Sequence, residues 1–120
     1  MPWSKGENKA FSLLGLAKKA GKIGSGEFKT EKLIKTNLAT LVIIAEDASD
    51  NTKKKFANMC DFYDIDYIIF ADKETLANVI GETYRAMLAI TDLGFSTKIK
   101  NLLMNSKEDI DVKKDSSRTC

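Results

Sequence analysis

The sequence predicts an α/β protein, a three-layer α/β/α sandwich built from four strands and five helices. Short apolar runs alternate with stretches whose apolar residues recur at helical spacing, and the joints between them carry glycine, asparagine or aspartate. Strands separated by helices imply βαβ units, hence a mostly parallel or mixed sheet with helices on both faces. A chain of 120 residues with 43% hydrophobic content is one domain by size, long enough to bury a proper core.

The elements follow in order. Ala10, Leu13, Leu14, Ala17 and Ala20 recur at helical spacing, and Gly21 stands where a helix-ending glycine belongs. Lys22-Ile23-Gly24 is a short extended piece before a second helix from about Gly26 to Thr36, which ends near Asn37. Thr40-Leu41-Val42-Ile43-Ile44-Ala45 is a continuous, β-branched-rich run, the mark of a strand buried on both faces. Thr52, Phe56, Met59, Cys60 and Tyr63 mark a third amphipathic helix, and Asp64-Ile65-Asp66 turns the chain into a second buried strand, Tyr67-Ile68-Ile69-Phe70. Asp72 caps a short fourth helix carrying Leu76, Val79 and Ile80 and stopped by Gly81. Ala86 to Ile90 is the last strand, and Asp92 caps a last helix with Phe95, Ile99, Leu102 and Leu103 on one face. The domain is expected over 9–104, with 1–8 as an N-terminal extension and 105–120 as a disordered tail whose sizeable apolar residues are only Ile110 and Val112.

Composition narrows the function classes. No apolar run approaches the roughly 18 residues of a membrane span, and Met1 to Glu7 lacks the apolar stretch of a secretory signal. A cytoplasmic protein without membrane contact is expected. Two cysteines, Cys60 and Cys120, with no histidine anywhere supply no ordinary zinc site and none of the usual serine or cysteine triads. No catalytic residue, metal or cofactor is expected. The first 40 residues carry eight lysines against Glu7, Glu27 and Glu31, while 41–104 carry seven basic against ten acidic groups. A basic third on a slightly acidic body points to a polyanion as partner, with a solvated lysine-rich surface as the plainer account.

Several groups invite a chemical role. Gly21, Gly24 and Gly26 match neither the dinucleotide-binding nor the P-loop spacing. Gly21 ends a helix, whereas Gly24 and Gly26 allow close backbone approach at the next helix entry, where free amides make a phosphate site. Glu46 and Asp47 follow the buried strand at its carboxyl end, where α/β proteins place ligands. A magnesium site there needs further ligands, and Asp72 and Asp92 serve equally well as helix caps. On the second helix, with about 100° per residue, Leu33 and Ile34 lie about 140° and 240° round from Phe28 and define the buried side. Lys32 lies about 40° from Phe28 and Lys35 about 20° the other way, with Lys29 beside that stripe. An aromatic among lysines beside a glycine-rich entry is a stacking surface set among phosphate-binding groups, or else Phe28 packs beneath the first helix or the N-terminal tail. Lys53-Lys54-Lys55 at a helix start, where cations oppose the helix dipole, is a candidate second basic patch or else a solubilising run.

Ser12-Leu13-Leu14-Gly15-Leu16-Ala17-Lys18-Lys19-Ala20-Gly21-Lys22, Ser25-Gly26-Glu27 and Leu41-Val42-Ile43-Ile44-Ala45-Glu46-Asp47-Ala48-Ser49 together resemble the YlxQ-type bacterial branch of the kink-turn RNA-binding superfamily. The likeness runs from about residue 9 to 104 and takes in Asn51 to Lys55 and Gly81 to Ile90. It implies a four-stranded mixed sheet, no catalysis, and RNA docking through three neighbouring elements. These are the helix entry from Ser25 to Lys32, the turn Glu46-Asp47, and the loop from Glu82 to Met87. Aligned back from the buried strand, Gly26 falls on the family's helix-entry glycine and Lys32 on its lysine. The Asn-Glu pair that reads sheared G·A pairs falls on Phe28 and Lys29, so RNA binding is implied without the groups that confer kink-turn specificity.

The expected protein is a monomeric, ribosome-associated RNA-binding accessory, taking ribosomal or other structured RNA through Ser25, Gly26, Glu27, Phe28, Lys29, Lys32, Lys35, Glu46, Asp47, Thr83, Tyr84 and Arg85. A protein–protein adaptor using the same face on a ribosomal or translational partner is the alternative. A magnesium-dependent phosphate enzyme built on Glu46 and Asp47 is a third class.

Overall fold

The computed structural model describes residues 3–108. Over that span the chain forms α1 (Lys5–Lys19), β1 (Ile23–Ser25), α2 (Glu27–Lys35), β2 (Leu41–Ile44), α3 (Asp50–Phe62), β3 (Asp66–Ile69), α4 (Lys73–Val79), β4 (Met87–Ile90) and α5 (Leu93–Glu108). The strands lie in the order β1-β4-β2-β3. β2 runs parallel to β3, while β4 is antiparallel to both β1 and β2, so the sheet is mixed.

Period-two alternation on the two central strands builds two cores. Leu41, Ile43, Leu88 and Ile90 face Ala10 and Leu14 of α1, Leu76 of α4, and Ile99 and Leu103 of α5. Val42, Ile44, Met87 and Ala89 face Leu33 and Ile34 of α2 and Phe56 and Cys60 of α3. Every residue of β2 and β4 is therefore buried, which is why both read as unbroken apolar runs. The architecture is the expected α/β/α sandwich.

Local chemistry sets the helix ends. α1, α2, α3 and α4 are each followed by a residue of positive φ, namely Gly21, Asn37, Asp64 and Gly81. Each makes the same paired closure, as in Lys22 N to Ala17 O at 2.8 Å and Gly21 N to Lys18 O at 3.0 Å. Ser49 and Asp72 cap α3 and α4 through backbone amides of Thr52 and Thr75, and Asp92 accepts from Phe95 N at 2.9 Å.

Three sequence expectations are corrected. The segment 67–70 is not a second strand buried on both faces. β3 is an edge strand that pairs with β2 alone among the described residues, with Asp66 and Ile69 exposed and Tyr67 and Ile68 half-buried. An edge strand has one flank and part of each face open to water, and order in the sheet, not apolar content, decided its place. At the other end, α5 runs on to Glu108, past the expected boundary at 104, and the rest of the expected tail lies outside the described residues.

The third correction concerns residues 1–8, expected as an extension. α1 begins at Lys5 behind a capping box, in which Ser4 Oγ accepts from Glu7 N at 3.0 Å and Glu7 Oε1 accepts from Ser4 N at 2.8 Å. Trp3 packs edge-on against Phe11 and Phe70, with ring centroids 5.1 and 5.6 Å away, and those two rings stack on each other at 5.1 Å. Changing Trp3 to alanine is expected to cost about 1–2 kcal/mol, since aromatic pairs add to the area they bury. Urea unfolding measures it, and an unmoved midpoint would return Trp3 to the status of an extension.

Candidate nucleic-acid interface

β1 and β2 point their carboxyl ends toward one pole of the sheet, where antiparallel β4 begins. Three loops meet there. Gly26 N donates to Met87 O at 3.0 Å, tying the α2 entry to the start of β4. Ala45 N donates to Ala86 O at 2.8 Å, and Glu46 N to Ala71 O at 2.6 Å, which adds the turn after β2. The neighbourhood expected of Ser25–Lys32, Glu46-Asp47 and the 82–87 loop is therefore present as geometry.

Gly26 is the N-cap of α2 at φ +87° and ψ 166°, and it supplies no side-chain cap. The amides of Glu27, Phe28 and Lys29 consequently face outward at the positive end of the helix dipole. Gly24 has a different reason. A Cβ there would lie 2.6 Å from Leu33 Cδ1 and 2.7 Å from Lys29 Cγ, so the close approach is to the protein's own second helix. The expectation that Gly24 brings backbone near a ligand is corrected to internal packing.

On α2 itself, Thr30, Leu33 and Ile34 are buried and Phe28 is 85% exposed. The aromatic does not pack beneath α1. Phe28, Glu31, Lys32 and Lys35 line one shallow depression. Lys32 and Lys29 are exposed and make no ion pair among the described residues, though Lys29 leans over the β1 side beside Gly24 and Leu33. Lys35 is otherwise engaged, with its Nζ 2.8 Å from Glu31 Oε2, while Lys55 of α3 reaches Glu31 Oε1 at 3.4 Å. The bond from Lys35, then that from Lys55, holds the Glu31 carboxyl below the ordinary glutamate range. Glu31 thereby joins two helices, and part of the charge assigned to Lys35 is already neutralised.

Glu46 and Asp47 are exposed, and Asp47 Oδ1 accepts from Lys73 N at 2.9 Å, helping to cap α4. Among the described residues no cluster of three or more His, Cys, Asp or Glu is placed to hold a metal ion. Burial pushes the Cys60 thiol up to about 12, far from a thiolate at neutral pH.

In the loop before β4, Thr83 and Tyr84 are exposed and Arg85 is not free. Arg85 Nε donates to Ser25 Oγ at 3.1 Å, Nη1 to Thr83 O at 2.9 Å and Tyr84 O at 3.2 Å, and Nη2 to Glu82 Oε1 at 3.0 Å. Glu82 Oε2 takes Lys18 Nζ from α1 at 3.1 Å. Tyr84 sits at φ +45°, in the left-handed region, which costs a bulky side chain about 1–3 kcal/mol. Glu31, Lys18 and Glu82 are the members of this neighbourhood that sequence alone did not single out. Only the Glu31–Lys35 spacing of four carried a local signal.

A model of the ribosomal protein L7Ae/L30e/S12e/Gadd45 family matches residues 8–100. The chain belongs to that family. It is 42% identical over 93 residues to the RNA-binding protein YlxQ of Bacillus subtilis (strain 168), covering 78% of this chain and 93% of the relative. It is 37% identical over 95 residues to the RNA-binding protein YlxQ of Enterococcus faecium, covering 79% and 91%. Among solved structures, a protein with unknown function from Bacillus halodurans C superposes with a TM-score of 0.78 at 35% identity, over 80% of this chain and 97% of that one. The Giardia lamblia 15.5kD RNA binding protein shares the fold, with a TM-score of 0.70 at 17% identity over 89% and 93% of the two chains. The expected likeness to YlxQ-type members is borne out. No helix among the described residues is long and apolar enough to cross a membrane.

Proposed function

We propose that this chain is a non-catalytic RNA-binding protein of the cytoplasm, monomeric and ribosome-associated, that docks structured RNA through the α2 entry, the Glu46-Asp47 turn and the 82–87 loop. One observation carries the reading. A phenylalanine stands 85% exposed on the same stripe as Lys32, which makes no ion pair among the described residues, beside a helix N-terminus that none of their side chains caps. Burial does not account for Phe28, whereas an unstacked base offers its ring a flat partner while Lys29, Lys32 and the free amides meet phosphate. By the family resemblance Phe28 and Lys29 fall where the Asn-Glu pair is expected, so the reading is RNA binding without classical kink-turn readout.

The test is affinity for ribosomal RNA fragments at two salt concentrations. Phe28→Ala is expected to weaken binding by roughly 1–3 kcal/mol through lost stacking. Lys32→Ala should weaken binding more evenly across sequences and lower the salt slope by about one unit. Neither change should disturb the circular dichroism spectrum, because both side chains lie on the exposed side of α2. Unchanged affinity in both variants would move the site off this helix, and binding indifferent to salt would favour the protein–protein adaptor.

A further inference from the structure

Arg85 spends its side chain inside the protein. A guanidinium offers five N–H donors on three nitrogens, and all three nitrogens of Arg85 are engaged with Ser25, Glu82 and the carbonyls of Thr83 and Tyr84. Glu82 is held from both sides, by Arg85 on one carboxylate oxygen and by Lys18 of α1 on the other. The loop is thus fastened at two points, to α1 through Lys18 and to the end of β1 through Ser25. Ser25 directly precedes Gly26, and a side chain at Gly26 would begin 3.8 Å from Arg85 Cδ, so the fastening lies against the α2 entry.

Between these anchors stands Tyr84. Its backbone is in a conformation that suits glycine, and the residue is 71% exposed. Neither backbone preference nor burial explains a tyrosine there, and strain held in place by surrounding bonds is a mark of a working position. Its neighbours in the groove toward α4 are the polar residues Glu74, Asn78 and Thr83.

We propose that Lys18, Glu82, Arg85 and Ser25 form a clasp that presents the Tyr84 ring to an unpaired base of the RNA, with Arg85 as a positioning residue and not a phosphate contact. The proposal rests on the RNA-binding reading above and deepens it. Tyr84 supplies the preference for unpaired nucleotides over duplex, since a base inside a helix has no free face to stack. Four of the five Arg85 donors are turned onto the protein itself and its charge is paired with Glu82, so it serves position ahead of phosphate.

The test uses the full chain with two probes, a ribosomal RNA hairpin with an unpaired loop and the same stem as a continuous duplex. Tyr84→Gly is expected to lower affinity for the hairpin about tenfold. It should leave duplex affinity and salt slope in place and should not lower the melting temperature, since glycine relieves the left-handed strain at this position. Arg85→Gln should lose hairpin affinity without changing the salt slope, whereas a true phosphate contact would remove about one unit. Glu82→Gln should weaken hairpin binding in the parent and have no further effect in the Tyr84→Gly background, a coupling that a merely structural role would not produce. If Arg85→Gln fails to fold, the Glu82 and Tyr84 pair carries the test alone. A lowered salt slope in Arg85→Gln, or a harmless Tyr84→Gly alongside a damaging Phe28→Ala, overturns the clasp and leaves the RNA reading standing. Unaltered binding in all of these variants, Phe28→Ala included, removes both.

Discussion

Replacing Phe56 by alanine is expected to cost about 3–5 kcal/mol of folding stability, a large share of the 5–15 kcal/mol that a domain typically has. Phe56 and Cys60 are the only fully buried residues among the thirteen of α3, and Phe56 is much the larger. Its ring lies in the core formed by Val42, Ile44, Met87 and Ala89 with Leu33 and Ile34, so it fastens α3 to the sheet and to α2 together. Truncation leaves a cavity walled by strands that already pair on both sides and cannot collapse inward. Denaturant unfolding with a two-state fit measures the loss, and the slope reports whether α3 has come away in the native state. A loss below about 1 kcal/mol would mean that α3 is held by its caps and by the Lys55–Glu31 pair instead. RNA affinity, measured where the variant is still folded, should fall far less than in Phe28→Ala, because Phe56 lies under the helix layer and away from the exposed stripe.

The layers were legible because their determinants are local. Leu41–Ile44 shows its burial in composition, and the helix ends are written in Gly21, Asn37, Asp64 and Gly81. The α1 start was written too, in Ser4 and Glu7, but Lys5, Gly6, Asn8 and Lys9 hid it behind a polar stretch. What escaped was set by contacts distant in sequence. Tyr67-Ile68-Ile69 looks as apolar as a central strand, and nothing local tells that β4, not β3, enters the middle of the sheet. Within the candidate site, the outward direction of Phe28 followed from helix geometry alone. The occupation of Arg85 did not, because Glu82, Thr83 and Tyr84 meet the guanidinium only through the shape of their loop, Ser25 is 60 residues away and the Lys18–Glu82 pair spans 64. Charge counted along the chain assigns every lysine and arginine to the solvent, while the fold withdraws Lys18, Lys35, Lys55 and Arg85 into pairs.

Gly26→Val should damage both folding and RNA binding, and the two effects have one origin. At φ +87° and ψ 166° the residue lies in a region that is essentially glycine's own, and a β-branched side chain is the least able to follow. The cost does not come from crowding, since a Cβ there would meet only Arg85 Cδ at 3.8 Å, an ordinary contact. It comes from the backbone, through an expected loss of about 1–3 kcal/mol in thermal or urea unfolding. To escape that strain the chain must rotate about Gly26, whose N–H donates to Met87 O and whose carbonyl accepts from Thr30 N, both at 3.0 Å. Rotation therefore unhooks the α2 entry from β4 and lifts the first turn of the helix. The amides of Glu27, Phe28 and Lys29 change direction together with the Phe28 ring, and Ser25 moves from Arg85. Binding to ribosomal RNA fragments should consequently fall by more than in Phe28→Ala, because several contacts are lost at once while no charge is removed. The salt slope separates this from a charge effect, since a re-aimed Lys29 or Lys32 lowers it only if its phosphate contact is lost as well. A folded Gly26→Val variant that binds RNA like the parent would show that the α2 entry is structural and that RNA docks elsewhere on the sandwich.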